Sequence, residues 1–133
     1  MKVFLDTNVL ASAAATRGLC ADVLREVFAS HELFISEQVL SELGRVLRSK
    51  FSVGQDLIDE FILLLEQDSV PVKSSPIPGI ELRDKDDLPI AGAAAAAGAE
   101  VLVSGDKELL DLGSVGSLEI LTPRQFWEKL KSL

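Results

Sequence analysis

The chain has 133 residues, 47% of them hydrophobic, which is enough for one domain around a sizeable core. Its 21 acidic and 13 basic residues give a formal charge of -8, which excludes binding of nucleic acid through bulk positive charge. The single cysteine, Cys20, excludes an internal disulfide and fits a reducing cytoplasm. The single histidine, His31, excludes sites that need two imidazoles. Any contact with nucleic acid must therefore depend on local basic residues or on a bound metal ion.

The apolar segments do not predict a secreted or membrane protein. Asp6 interrupts the apolar opening, which would have to be uncharged in a secretory signal. The longest apolar stretch, residues 90–99, is far shorter than the roughly 20 residues that span a bilayer. We expect one soluble, cytoplasmic domain over residues 1–133.

Short apolar runs alternate with longer helical patterns, an order typical of βα units around a parallel sheet. The predicted strands are Lys2–Leu5, 33–36, a short segment after residue 68, 100–103 and 118–121. The predicted helices are 21–30, 36–49, 55–67, the alanine-rich segment from Pro89, a short helix after Asp106, and 122–130. The predicted fold class is α/β, a single domain with a parallel sheet of about five strands flanked by helices.

Two acidic residues come at the ends of predicted strands. Asp6 directly follows the first strand, and Asp106 follows a later one after a turn that contains glycine. Ligands of open parallel sheets bind at the carboxyl ends of the strands, where both side chains are expected. Asp6, Asn8 and Asp106 are also suitable residues for capping the turn or helix that follows, so neither acid alone distinguishes a structural from a functional role.

A third group of acids, Asp84, Asp86 and Asp87, precedes the alanine-rich helix. A cap explains one of them, and like charges this close either spread into solvent or surround a cation. Asp87 lies three residues before Ile90 and four before Ala91, so helical spacing places it on the side that faces the sheet. We expect Asp87 to point toward the strand ends and the other two acids to lie on the loop side.

Glu42 is a fourth acidic candidate, on the helix predicted at 36–49. It lies about 100° from Leu43, the centre of the apolar stripe, and therefore at the border of the buried face. This position fits either a solvated rim or a side chain that reaches the strand ends. Glu37 lies further round the helix and is interpreted as solvated.

The helix predicted at 55–67 has apolar residues on more than one face. One interpretation is a helix covered by the sheet on one side and by a neighbouring helix on another. The alternative is a surface for self-association or for a partner peptide.

These features together resemble the PIN domain ribonucleases, and more closely the VapC-type toxins of bacterial type II toxin–antitoxin modules. The resemblance rests on FLDTNVL, SEQVLSELGRVL, DKDDLPIAGAAAAAGAEVLVSGDKELL and ILTPRQFWEKL, which occur in the family's order and nearly fill the chain. The strand-end Asp-Thr-Asn followed by D-D-x-x-I-x-x-A and S-G-D is the most specific combination.

By position, the resemblance implies four catalytic, metal-binding acids and two supporting residues. These are Asp6, Glu42, Asp87 and Asp106, supported by Asn8 and Ser104. Asp84, Asp86 and Asp111 are not counted as ligands. Such an all-oxygen set suits Mg²⁺, for which Mn²⁺ can substitute, rather than Zn²⁺. The implied activity is metal-dependent hydrolysis of RNA phosphodiester bonds.

The resemblance also implies partners: an RNA substrate, an antitoxin protein, and a homodimer or higher oligomer. Contacts to the RNA backbone could come from five basic residues, each of which also fits a solvated surface: Arg17, Arg45, Arg48, Lys85 and Lys107.

Other functional classes remain open at this level. A haloacid dehalogenase-like phosphatase would need an aspartate where the chain has Asn8, and a response-regulator receiver would need an acid pair near its first strand. A non-catalytic interaction module, or a housekeeping PIN nuclease acting on other nucleic acid, agrees with the same residues. Metal-dependent cleavage that is lost in Asp6→Asn separates the nucleases from the binding module.

Overall fold

Six strands and seven helices make up the part of the chain that the computed structural model describes, residues 1–72 and 87–133, without the side chains of residues 87–89. In chain order the elements are β1 (Lys2–Leu5), α1 (Thr7–Ala15), α2 (Leu19–Ser30), β2 (Glu32–Ser36), α3 (Glu37–Phe51), α4 (Gln55–Asp68), β3 (Ser69–Val72), α5 (Asp87–Ala96), β4 (Val101–Val103), α6 (Lys107–Leu112), β5 (Ser114–Val115), β6 (Leu118–Leu121) and α7 (Pro123–Lys131). The predicted α/β class is confirmed. The sixth strand, β5, is only two residues long.

The strands form one sheet in the order β3-β2-β1-β4-β6-β5. All neighbouring pairs are parallel except β5 and β6. Residues 3–5 of β1 and 101–103 of β4 are buried throughout, as expected for central strands that are covered on both faces. Their continuous apolar sequences, VFL and VLV, follow from this double coverage.

The strand order changes direction at β1. The chain first moves outward from β1 through β2 to β3, then returns to place β4 on the other side of β1. Strands β1 and β4 are paired in parallel, so their carboxyl ends meet at the same edge of the sheet. Such a topological switch point is where open α/β sheets bind ligands.

Helix α5 fits closely against the sheet because its buried residues after Ile90 are small: Gly92 and the alanines at positions 91, 93 and 94. It contacts both β2 and β4. The helix ends in a Schellman arrangement, in which the Ala99 N–H donates to the Ala94 carbonyl at 3.0 Å. Gly98 has a φ of +75°, the left-handed conformation that this ending requires.

The N-cap predicted at Ser36 is confirmed, whereas α1 was not predicted and α2 begins at Leu19, two residues before its predicted start. The Val39 N–H donates to the Ser36 hydroxyl at 3.2 Å, and Thr122 and Gln125 form a complete capping box at the start of α7. None of the described helices is long and apolar enough to cross a membrane.

Candidate functional site

The carboxylate of Asp6 lies at the carboxyl end of β1 and is almost fully buried, with 5% of the residue exposed. The backbone places it there, because the Asp6 N–H donates to the Val103 carbonyl of β4 at 3.0 Å. Asp6 is also the N-cap of α1, and its Oδ1 accepts from the Thr7 N–H at 2.6 Å. The capping role considered from the sequence is therefore confirmed for Asp6, but it uses only one of the two carboxylate oxygens.

Ser104 connects the end of β1 to the end of β4. Its hydroxyl donates to Oδ2 of Asp6 at 2.7 Å and accepts from the Asp106 N–H at 2.9 Å. Ser104 is fully buried, so this hydrogen bond is shielded from water. Asp106 in turn caps α6, with its Oδ1 accepting from the Glu108 N–H at 2.8 Å. The two strand-end acids therefore belong to one hydrogen-bonded unit.

Glu42 reaches the same region from α3. The Thr7 hydroxyl donates to Oε2 of Glu42 at 3.1 Å, and the Gln38 side-chain amide donates to Oε1 at 3.0 Å. Glu42 is half-buried, in agreement with its predicted place at the border of the apolar stripe. Both of its oxygens are held by uncharged donors, which fix the side chain without neutralising it.

The electrostatics of Asp6 show how close these acids are. Burial raises the pKa of Asp6 above its usual value, and the negative charges of Asp106 and Glu42 raise it further. Hydrogen bonds from Ser104 and Thr7 act in the opposite direction, because they stabilise the ionised carboxylate. Asp106 and Glu42 are therefore near enough to Asp6 for their charges to disfavour its ionised form.

The donor set suits a hard divalent cation. Carboxylate oxygens dominate it, and no basic side chain in the described ranges forms an ion pair with Asp6, Glu42 or Asp106. Within those ranges, however, no three acids lie close enough together to enclose a metal ion. The Asp87 side chain is not among the described residues. The described acids fit a cation by chemistry and by charge, although no three of them surround one point.

The remaining predicted residues are located as follows. Asp87 is the first residue of α5, and its side chain lies outside the described residues, as do Asp84 and Asp86 entirely. Asn8 is exposed on the first turn of α1, where its Oδ1 accepts from Lys50 at 3.3 Å. Asp111 is exposed on α6.

Three contacts in this region were not anticipated from the sequence. They are made by Thr7 and Gln38 with Glu42, and by Lys50 with Asn8. Gln38 precedes Glu42 by four residues on a helix, a spacing that does indicate side-chain contact. The other two pairs are 35 and 42 residues apart, so no local pattern signals them.

A separate feature is the apolar surface of α4. Leu57, Leu63 and Leu64 are exposed by 62%, 55% and 41%, whereas Ile58 and Leu65 are buried. Beside them lies a groove of about 500 Å³, bounded by the ends of α1 and α3 and by α4. Helix α4 contacts β3 and α3, as the first interpretation predicted, but these contacts leave the three leucines exposed.

We predict that Asp6→Asn becomes more stable relative to the parent protein as the pH rises. The folded-state pKa of Asp6 is raised, so its contribution to stability is fully present below the unfolded value of about 3.9 and is lost as the pH rises through the folded value. The asparagine variant has no carboxyl group at position 6, so this loss of stability with rising pH does not occur in it. Urea unfolding between pH 4 and 8, with chelator present, measures the difference in free energy of unfolding.

The companion variant Ser104→Ala should show the opposite trend. It removes a donor that favours ionised Asp6, so its deficit in stability should grow over the same pH range. Differences that stay constant with pH for both variants would contradict the account of this carboxylate.

Solved structures similar to this chain include two VapBC proteins and one VapC toxin. VapBC2 from Rickettsia felis, bound to a promoter DNA fragment, has 20% identity and a TM-score of 0.64, over 90% of this chain and 97% of the other. VapBC-1 from nontypeable Haemophilus influenzae has 20% identity and a TM-score of 0.63, over 93% and 99%. VapC20 from Mycobacterium tuberculosis, a toxin that cleaves the sarcin–ricin loop, has 14% identity and a TM-score of 0.64, over 85% and 96%.

Sequence comparison supplies the family. No curated protein matches the chain. The family model described as PIN domain matches residues 2–108, which is well over half of the chain and includes Asp6, Glu42 and Asp106. The fold, the arrangement of strand-end acids and this match agree, and the chain belongs to the PIN domain family.

Proposed function

We propose that this PIN domain is a metal-dependent endoribonuclease and acts as the toxin of a toxin–antitoxin pair. The observation that carries the proposal is the hydrogen-bonded unit of Asp6, Ser104 and Asp106, with Glu42 beside it, at the switch point of the sheet. Asp6 is buried, has a raised pKa and has no basic partner among the described residues, which is more typical of a catalytic site than of a helix cap.

In the proposed site, Asp6, Glu42 and Asp106 hold the metal ion, together with Asp87. Mg²⁺, or Mn²⁺ in its place, would when bound lower the pKa of a water molecule and offset the negative charge of the phosphodiester. The protein's own part is to present oxygens in fixed positions. Oδ2 of Asp106 accepts no hydrogen bond within the described residues and is available as a ligand.

The neighbours of the acids would prepare them for this role. Ser104 and Thr7 hold the two oxygens of Asp6 by neutral hydrogen bonds, so the carboxylate cannot rotate away when the cation is absent. Each oxygen retains a second lone pair for a metal ion. Thr7 and Gln38 hold Glu42 in the same manner. Preorganised ligands of this kind reduce the cost of ordering the site when the metal and substrate bind.

RNA as the substrate is supported by the sarcin–ricin loop cleavage named for VapC20, and a toxin role by the three VapBC and VapC structures. These structures are 14–20% identical to the chain, so their similarity establishes the fold and not the activity, which is part of the proposal. The net charge of -8 agrees with a metal-centred site, since the surface as a whole would repel RNA.

We predict that the purified protein cuts cellular RNA at discrete positions in the presence of Mg²⁺ or Mn²⁺. Asp6→Asn and Asp106→Asn should each lower the cleavage rate at least a hundredfold, because each removes a charged metal ligand. Mapping of new 5′ ends by sequencing, with and without chelator, measures the activity and identifies the target.

The matched control is Asp56→Asn, which removes one carboxylate from the exposed start of α4. It should cleave at the parent rate. A folded protein that makes no metal-dependent cuts, or cuts equally in the Asp6 and Asp56 variants, would contradict the nuclease proposal and favour a non-catalytic binding module.

The proposed antitoxin has a suitable docking surface on α4. We assign the exposed leucines 57 and 64, with the adjoining groove between α1, α3 and α4, to an apolar segment of that partner. Covering these exposed leucines with such a segment removes apolar surface from water, which favours binding. The two VapBC structures are the comparison that supports a protein partner.

The prediction is that Leu57→Lys combined with Leu64→Lys abolishes the complex with the polypeptide encoded by the neighbouring gene. Co-expression followed by light scattering on the purified complex measures this. Val70→Lys, which changes an exposed apolar residue on β3, should leave the complex intact. If the double variant still binds, or if it only converts a homodimer of this chain to a monomer, the antitoxin assignment is overturned.

A further inference from the structure

Lys50 lies beside the candidate site although it is far from it in sequence. It is on the last turn of α3, and its Nζ is 3.3 Å from Oδ1 of Asn8 on α1. Asn8 is two residues from Asp6, so their Cα atoms are at most about 7.6 Å apart. The contact exists because α1 packs against α3. Lys50 is therefore a cation at the rim of an acidic site.

The ammonium of Lys50 interacts only weakly with its neighbours among the described residues. Its bond to Asn8 is long and to an uncharged oxygen, and among the described residues no acid lies within ion-pair distance. An ammonium group carries three N–H donors, so two remain available to a ligand. Lys50 is also exposed, and an external group can approach it.

Three other basic side chains in the described ranges have partners other than the predicted site residues. Arg25 pairs with Asp22, and Lys129 pairs with Glu119. Arg48, two residues before Lys50, donates instead to Gln55 at the start of α4. Lys50 is the basic residue in the described part of the chain that directly contacts a predicted site residue.

We propose that Lys50 binds a phosphate of the substrate strand adjacent to the one that is cleaved, and that Asn8 positions its ammonium group. This inference rests on the proposed nuclease function. A chain of net charge -8 offers a polyanion little long-range attraction, so binding must come from a few local cations near the site. A lysine serves this purpose as a compact point charge that accepts any base sequence.

The test compares Lys50→Gln with Arg25→Gln, which removes the same charge from an exposed side chain of α2 that pairs with Asp22. With a short single-stranded oligoribonucleotide cut by the parent protein, Lys50→Gln should raise KM about tenfold and leave kcat within twofold. The slope of log affinity against log salt concentration should become shallower by about 0.7. Arg25→Gln should match the parent, and Lys50→Arg should restore KM.

Binding is measured separately by fluorescence anisotropy of the same oligonucleotide in an Asp106→Asn background, so that loss of affinity does not depend on turnover. If the Lys50→Gln and Arg25→Gln variants have equal KM and equal salt slopes, the inference is overturned. A loss confined to kcat, or to thermal stability, also overturns it, because Lys50 would then act on the site or the fold. If no RNA is cleaved but binding still depends on Lys50, the nuclease proposal fails and the phosphate contact stands.

Discussion

The buried carboxylate of Asp6 is the constraint around which this part of the molecule is organised. It ends a strand whose apolar residues are completely buried, and burial together with two nearby acids disfavours its charge. Thr7 and Ser104 donate to it, but neither supplies a positive charge. Such a group is costly to keep in a stable fold, and proteins commonly accept costs of this kind at functional sites. A divalent cation bound among the acids would attract each carboxylate and so offset their mutual repulsion.

The topology determines where this cost is incurred. The chain does not pass directly from β1 to β4, because the strand order changes direction between them. No crossover connection between these two strands therefore covers their carboxyl ends. Short loops then place Asp6 and Asp106 within one hydrogen-bonded unit, and α3 brings Glu42 alongside. The same α1–α3 packing brings Lys50 to Asn8. Metal binding and substrate binding would thus both depend on how α3 lies against α1.

The strands, the caps and the strand-end acids could be predicted because each depends on nearby residues. Apolar runs, hydroxyl residues before helices and an aspartate after a strand are all local signals, as Ser36 and Asp6 illustrate. The hydrogen bond between Thr7 and Glu42 could not be predicted, because it joins residues 35 positions apart in the sequence and depends on how their two helices pack. The exposure of Leu57 and Leu64 was ambiguous for a similar reason, since periodicity counts apolar faces without showing what covers them. The ligand roles of Asp6, Glu42, Asp87 and Asp106 stay predictions.

Anomalous diffraction from crystals grown with Mn²⁺ would show whether these acids share a divalent cation. We expect a strong anomalous peak at the carboxyl ends of β1 and β4, with oxygens of Asp6 and Asp106 as ligands at distances typical of divalent metals and Glu42 or Asp87 completing the set. Manganese found only at surface sites, with the Asp6 carboxylate still engaged by Thr7 and Ser104 alone, would contradict this expectation.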